Sequence, residues 1–162
     1  MRLLSRALLC ALLSLSVPAR ADMAGDCVQS RDPALSERAC TVLIDGGTLS
    51  GDNLVTAYYN RGNARNRLRK FEASIADYSR ALELDPNDGS SWFNRGISRH
   101  ALGRAEAALG DWETSARVDG APRVKIYQNF LSERGLYSGP VDGVFNDATR
   151  RALAACAHDP KC

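Results

Sequence analysis

The chain has 162 residues, with 21 Lys and Arg against 19 Asp and Glu and a formal net charge of +2. That balance offers no electrostatic footprint for nucleic acid or an anionic membrane surface, and the length suits one compact domain or a small array with an appended module. Apart from the first residues, no apolar run approaches a membrane-spanning length.

Residues 1–21 have the layout of a cleaved signal peptide. Arg2 and Arg6 precede the apolar run LLCALLSLSV, Pro18 follows, and Ala19-Arg20-Ala21 forms a small-residue cleavage site with no acidic residue before it. Cleavage is expected before Asp22. A lipoprotein signal would use Cys10, but bulky Leu9 stands where a small residue belongs. Export leaves 18 basic residues against 19 acidic ones, a near-neutral mature chain with no membrane insertion.

Four cysteines survive that cleavage: Cys27, Cys40, Cys156 and Cys162. They allow three connectivities, of which locality favours the two short loops, Cys27 with Cys40 and Cys156 with Cys162. In an oxidising compartment each bridge would tie down a marginal end. A metal site is disfavoured, because His100 and His158 form no ligand cluster with these cysteines. No cofactor is expected.

Residues 22–53 read as an N-terminal capping region. Asp32-Pro33 is a cap and first-turn pair, ALSERACTVLI is a helix ending at Gly46-Gly47, and TLSGDN is a loop.

An internal repeat follows over residues 54–121. The segment from Tyr58 aligns with that from Trp92 at a constant offset of 34 without a gap, so that Asn60 matches Asn94, Arg61 matches Arg95, Gly62 matches Gly96, Arg65 matches Arg99 and Asp77 matches Asp111. Such a period belongs to helix-turn-helix solenoids. Each unit has an aromatic and then a glycine on its first helix, a break at Arg69-Lys70 or Gly103-Arg104, and a second helix with small residues and an aromatic, Tyr78 or Trp112. Small residues facing large ones let two antiparallel helices approach closely. Recurrence of Arg61 and Arg95 with Asp77 and Asp111 predicts a structural ion pair repeated within each helix pair.

At these residues the chain resembles the tetratricopeptide repeat family. Tyr58, Gly62, Tyr78, Ala81 and Pro86 match its pattern over residues 55–88, as Trp92, Gly96, Ala108 and Trp112 do over 89–121; Ser115 and Gly120 depart from it. The resemblance implies an all-α fold, a right-handed solenoid of helical hairpins whose ends need caps. It makes ALSERACTVLI the second helix of a degenerate leading repeat, with Cys40 near the place of Tyr78. Its usual role is to hold a peptide or helix of another protein in a concave groove. The non-recurring residues on that side, Tyr59, Asn63, Asn66, Arg67, Phe93, Ile97 and His100, are the candidate groove. Asn and Arg suit peptide backbone and carboxylate groups, and Phe93 and Ile97 suit apolar anchors.

Residues 122–162 read as a helix from about Pro122 to Arg134, turns through Ser138-Gly139-Pro140 and Asp142-Gly143, and a helix capped by Asn146 or Asp147. Gln128, Leu131, Gly135, Tyr137, Gly139, Asp142-Gly143, Phe145, Thr149 and Ala152 make this stretch similar to the peptidoglycan-binding family of short helical modules. Asn146 replaces a typical glycine, and the copy is short. The resemblance implies Tyr137, Asp142, Phe145 and Arg150 as candidates for wall glycan or stem peptide. The structural alternative is that the glycines permit the turns, Asp142 bonds local backbone, and Leu131, Val144 and Leu153 seal the last face of the array.

An enzyme finds little support: no Ser, His and Asp arrangement, metal-ligand run or phosphate loop is recognisable. The combined expectation is an exported, non-enzymatic adaptor of the bacterial periplasm that binds an envelope protein or peptide. The alternative is a peptidoglycan-binding protein in which the repeats are a spacer.

Overall fold

The computed structural model describes residues 20–29 and 31–162; most of the expected signal peptide, residues 1–19, lies outside the described residues. Described elements are all helical: α1 (Arg20–Gln29), α2 (Pro33–Asp45), α3 (Gly51–Arg67), α4 (Phe71–Leu84), α5 (Gly89–Ala101), α6 (Ala105–Asp119), α7 (Ala121–Glu133) and α8 (Asp147–His158). None is long and apolar enough to cross a membrane.

Local chemistry sets the boundaries. Asp32 caps α2 by accepting from the Ala34 N–H with Pro33 at the first turn, Asp88 caps α5 through Ser90, and Asn146 caps α8 through Thr149. Gly103 turns α5 into α6 with φ of 71°, and Arg69 makes the equivalent turn between α3 and α4 at φ of 59°. A side chain in that left-handed region is strained, so the first repeat carries a cost that the second avoids. Gly120, at φ 65° and ψ −147°, joins α6 directly to α7 in a conformation essentially reserved for glycine.

Successive helices stack as hairpins, α1 on α2, α3 on α4 and α5 on α6, while α7 and α8 cover the last face of α6. Ahead of α2 the chain forms a further helix, α1, which completes a leading hairpin. In the two repeats an aromatic of the second helix lies on a glycine of the first: a Cβ at Gly62 would stand 2.7 Å from Tyr78 Cε1, and one at Gly96 would stand 2.4 Å from Trp112 Nε1. In the leading hairpin Cys27 and Cys40 occupy that position at disulfide distance, with Cα atoms 4.8 Å apart. A covalent pair thus joins two helices where the repeats use a ring on a glycine. Cys156 and Cys162 form the other local pair, with Cα atoms 5.3 Å apart.

Each repeat is pinned by a buried carboxylate. Asp77 and Asp111 are both 2% exposed. Arg61 and Arg65 grip Asp77 at 2.7 and 2.8 Å, and Arg95 and Arg99 grip Asp111 at 2.8 Å each. The expected recurring ion pair is therefore present, and it is a three-residue clamp, because positions i and i+4 of one helix share a face. Removal of Asp111 would leave Arg95 and Arg99 without their anion, whereas removal of Asp77 would strand Arg61 and leave Arg65 with Glu37, 3.1 Å away.

Apolar packing divides between the ends. One cluster joins Cys27, Ala39, Cys40, Leu43 and Ala57; the larger joins Trp112, Ala116, Val124, Tyr127, Leu131, Leu153 and neighbours. Between them buried serines replace bulk, with Ser74 donating to Ser98 at 2.8 Å and Ser115 to the Gly89 carbonyl at 2.9 Å. Their hydroxyls are satisfied, which permits tight helix approach without an unpaired polar group.

Candidate functional site

Helices α3 and α5 carry the candidate groove, and the structure divides it into two notches that share Ile97. The first, about 410 Å³, is polar: α3 contributes Asn60, Asn63, Asn66 and Arg67, α5 contributes Asn94, and Cys27, Val28 and Ser36 of the leading hairpin close one end. The second, about 230 Å³, is walled by Phe93, Trp112, Ile126, Tyr127, Phe130 and the Cys156–Cys162 pair, with His100 on its rim.

The polar notch is held by a network. Tyr78 donates its hydroxyl to Asn63 Oδ1 at 2.8 Å, and Asn94 donates Nδ2 to the same oxygen at 3.3 Å and to the Tyr59 hydroxyl at 3.2 Å. Burial pushes the Tyr78 hydroxyl well above the usual phenol range, so it is a neutral donor at ordinary pH. Both amides are therefore fixed in orientation. Among the described residues, Asn63 Nδ2 and Asn94 Oδ1 have no partner, so a donor and an acceptor are left open on adjacent amides that line the notch. A main-chain amide, which accepts through its carbonyl and donates through its N–H, has the matching pattern.

The other expected groove residues take different parts. Asn66 is turned to Ser98 at 2.7 Å, and Arg67 bonds the Arg31 carbonyl at 2.7 Å, tying α3 to the loop before α2. Phe93 packs on Tyr127 with ring centroids 5.9 Å apart, under the Arg123 guanidinium at 4.7 Å. His100 lies against Trp112 and meets the Asp159 carbonyl at 2.9 Å through Nε2. Burial pushes the Tyr127 hydroxyl up to about 12, and it donates to the Trp112 carbonyl.

Several lining residues escape a reading of recurrence. Asn94 matches Asn60 at the repeat offset, which marks it as scaffold, yet it supplies the free acceptor of the polar notch. Ile126 and Phe130 lie on α7, outside the repeats, and only folding brings them opposite Phe93 and Ile97. Ile126 is 52% exposed, a large apolar side chain left at a rim.

The candidate glycan residues are engaged in contacts within the chain, as in the structural alternative for Asp142. Tyr137 is 6% exposed and its hydroxyl bonds the Pro140 carbonyl at 3.0 Å, so it offers no free stacking face. Asp142 accepts from the Val144 N–H and from Gln128 at 2.9 Å each, and these bonds hold its carboxyl below the usual range. Phe145 packs on the C-terminal core. Arg150 reaches Glu113 on α6 at 2.6 Å, strapping α8 to the array. Gln128, fully buried, links Tyr137, Asp142, Val144 and Thr149, while Gly143 donates to its Oε1. Leu131 and Leu153 are sealed as expected of a cap, but Val144 is exposed. It sits in the segment before α8.

Among the described residues no group of three His, Cys, Asp or Glu side chains could hold a metal ion. Tetratricopeptide repeat profiles match residues 55–88 and, in a second form, residues 78–110. No curated protein matches the chain.

Proposed function

We propose, from the premise that residues 55–110 carry tetratricopeptide repeats, that the chain is a non-catalytic adaptor holding an extended segment of a partner protein across α3 and α5. The observation that carries this reading is the Tyr59–Asn94–Asn63–Tyr78 network, which leaves a fixed donor and a fixed acceptor for a partner's main chain. The apolar notch beyond Ile97 takes one apolar side chain of the same segment. Main-chain bonds supply affinity, and the apolar anchor supplies choice.

A library of short peptides displayed to the purified chain tests this. Asn63→Ala and Asn94→Ala weaken all bound peptides by roughly fivefold to tenfold, as loss of one such hydrogen bond predicts, whereas Ile97→Ser changes which peptides are retained. Equal binding by all three variants and the wild type would sink the reading.

The adaptor works in the periplasm of a bacterial envelope, on an envelope protein. The layout of residues 1–21 and two cysteine pairs at disulfide distance support this. A mature N-terminus at Asp22, read from protein recovered after cell fractionation, is the expected result; a cytosolic full-length chain contradicts it. Peptidoglycan is the other partner considered. The buried Tyr137 and the engaged Asp142 and Arg150 support residues 122–162 as a cap on the array instead. Co-sedimentation of the intact chain with sacculi, abolished by Arg150→Ala in a folded variant, would restore the wall reading.

A further inference from the structure

The two cysteine pairs sit in unlike surroundings. Cys27 and Cys40 are 3% and 0% exposed, inside the cluster that joins α1, α2 and α3. Cys156 is buried too, but Cys162 is only half-buried and stands on the wall of the apolar notch. Exchange begins with a thiolate attacking one sulfur, so the sulfur that solvent reaches governs the rate. Only the second pair includes a cysteine that is not buried.

What Cys162 holds in place matters to the notch. Residues 159–162 form a turn in which the Cys162 N–H donates to the Asp159 carbonyl at 3.0 Å and the Lys161 N–H to Asp159 Oδ1 at 2.9 Å. Apart from the bridge, this turn is held by the Asp159 N–H donating to the Cys156 carbonyl at 3.0 Å and by His100 Nε2 on the Asp159 carbonyl, an exposed bond. Two such bonds contribute about 1 kcal/mol each or less, too little to offset the cost of ordering four residues, about 1–2 kcal/mol apiece. The bridge therefore maintains that side of the notch.

We propose that Cys156–Cys162 is a reducible strap that shapes the apolar notch, and that a dithiol opens it ahead of Cys27–Cys40. A thiolate of the dithiol attacks Cys162 Sγ, and Cys156 leaves as a thiolate and is protonated. The reductant's second thiol then closes its own disulfide and expels Cys162 as a thiol. Two electrons and two protons pass to the chain, and the dithiol is oxidised to its disulfide. Freed residues 159–162 leave His100, the notch loses a wall, and an apolar group in it is less completely buried. The oxidised chain is the form that holds an apolar anchor. This deepens the reading of the notch as half of the partner face, but the order of reduction does not depend on it.

The oxidised full chain is exposed to graded dithiothreitol, alkylated and mapped by peptide mass. The same samples are measured for helicity and for binding of anilinonaphthalene sulfonate as the apolar probe. Cys156 and Cys162 are expected to be alkylated at a dithiol concentration roughly tenfold lower than Cys27 and Cys40. Helicity is retained at that point, and probe affinity falls several-fold. The double variant Cys156→Ser, Cys162→Ser reproduces the lower affinity and no longer responds to mild dithiol; should it fail to fold, the selectively alkylated wild type supplies the same comparison. Simultaneous opening of both pairs, earlier opening of Cys27–Cys40, loss of helicity with the strap, or unchanged probe affinity would each overturn the proposal. A strap that behaves as described in a chain that binds no peptide would sink the adaptor reading alone.

Discussion

At the N-terminal end of the face lined by α3 and α5, a hairpin crosslinked through Cys27 and Cys40 closes a notch of asparagine and serine; at the C-terminal end, α7 and α8 close a notch of aromatic rings. The repeats between them are built alike, ring on glycine and carboxylate under two arginines. The difference lies in the caps and in the side chains that do not recur. In so short an array each repeat meets a different neighbour, so a shared scaffold yields a polar surface at one end and an apolar one at the other.

The shared scaffold is the place for the largest effects. Asp77→Ala and Asp111→Ala are each expected to lose about 3–5 kcal/mol, measured as a fall in urea midpoint at constant slope, because Asp111→Ala strands Arg95 and Arg99, and Asp77→Ala strands Arg61 and leaves Arg65 with Glu37 alone. Equal losses would show that both ends rest on the same clamp; a loss below about 1 kcal/mol would make that clamp equivalent to a surface pair. Gly96→Ala follows, costing about 1–3 kcal/mol as its Cβ displaces Trp112, with a shift of the Trp112 fluorescence. Gly62→Ala should act on Tyr78 in the same way and leave that fluorescence unchanged.

Smaller changes separate the ends. Tyr78→Phe deletes the hydroxyl that orients Asn63 and is expected to lower stability by about 1 kcal/mol while leaving the probe site at the apolar notch intact. Arg69→Gly relieves the left-handed turn that Gly103 already relieves in the second repeat. The expected gain is about 0.5–1 kcal/mol in thermal or urea unfolding, net of the lost contact of Arg69 with Phe71.

The smallest effects are in pH dependence. Burial pushes the Glu37 carboxyl up, but hydrogen bonds from Lys70 and Arg65 outweigh it and hold it below the usual range. A depressed folded value gives stability that is present above the unfolded value, near 4.3, and lost as pH falls below it. Tyr127 is the opposite case: burial raises it to about 12, so its contribution is present below about 10 and lost as pH rises through 12. Glu37→Gln should flatten the acid limb of urea stability and Tyr127→Phe the alkaline limb. Because Glu37 lies on α2 and Tyr127 on α7, the two limbs report on opposite ends of the array.

The repeat, its breaks and its clamps are legible in sequence because each rests on residue types at a fixed offset. Gly62 with Tyr78, Gly96 with Trp112, and Arg61 with Asp77 identify themselves by returning. The candidate site is legible only in part. Asn63, Phe93, Ile97 and His100 lie where helical spacing puts them, but Asn94 is hidden by its own recurrence, and Ile126 and Phe130 belong to a helix with no repeat to index it. Tyr137 fits a recognition motif by spacing, and burial turns it into a core residue. Residues 22–29 carry no cap or clear apolar period, and α1 is recognisable through its packing on α2.

Local rules act within a few residues along the chain, so composition, period, capping residues and glycine positions already specify helical hairpins, their boundaries and their internal clamps. Which face each end presents follows from surfaces far apart in sequence. Asn63 faces Asn94, Phe93 faces Tyr127, and His100 meets Asp159 because the stacked hairpins carry them there. Contacts of that range depend on how each helix packs on its neighbour, and no residue pattern short of the folded array encodes them.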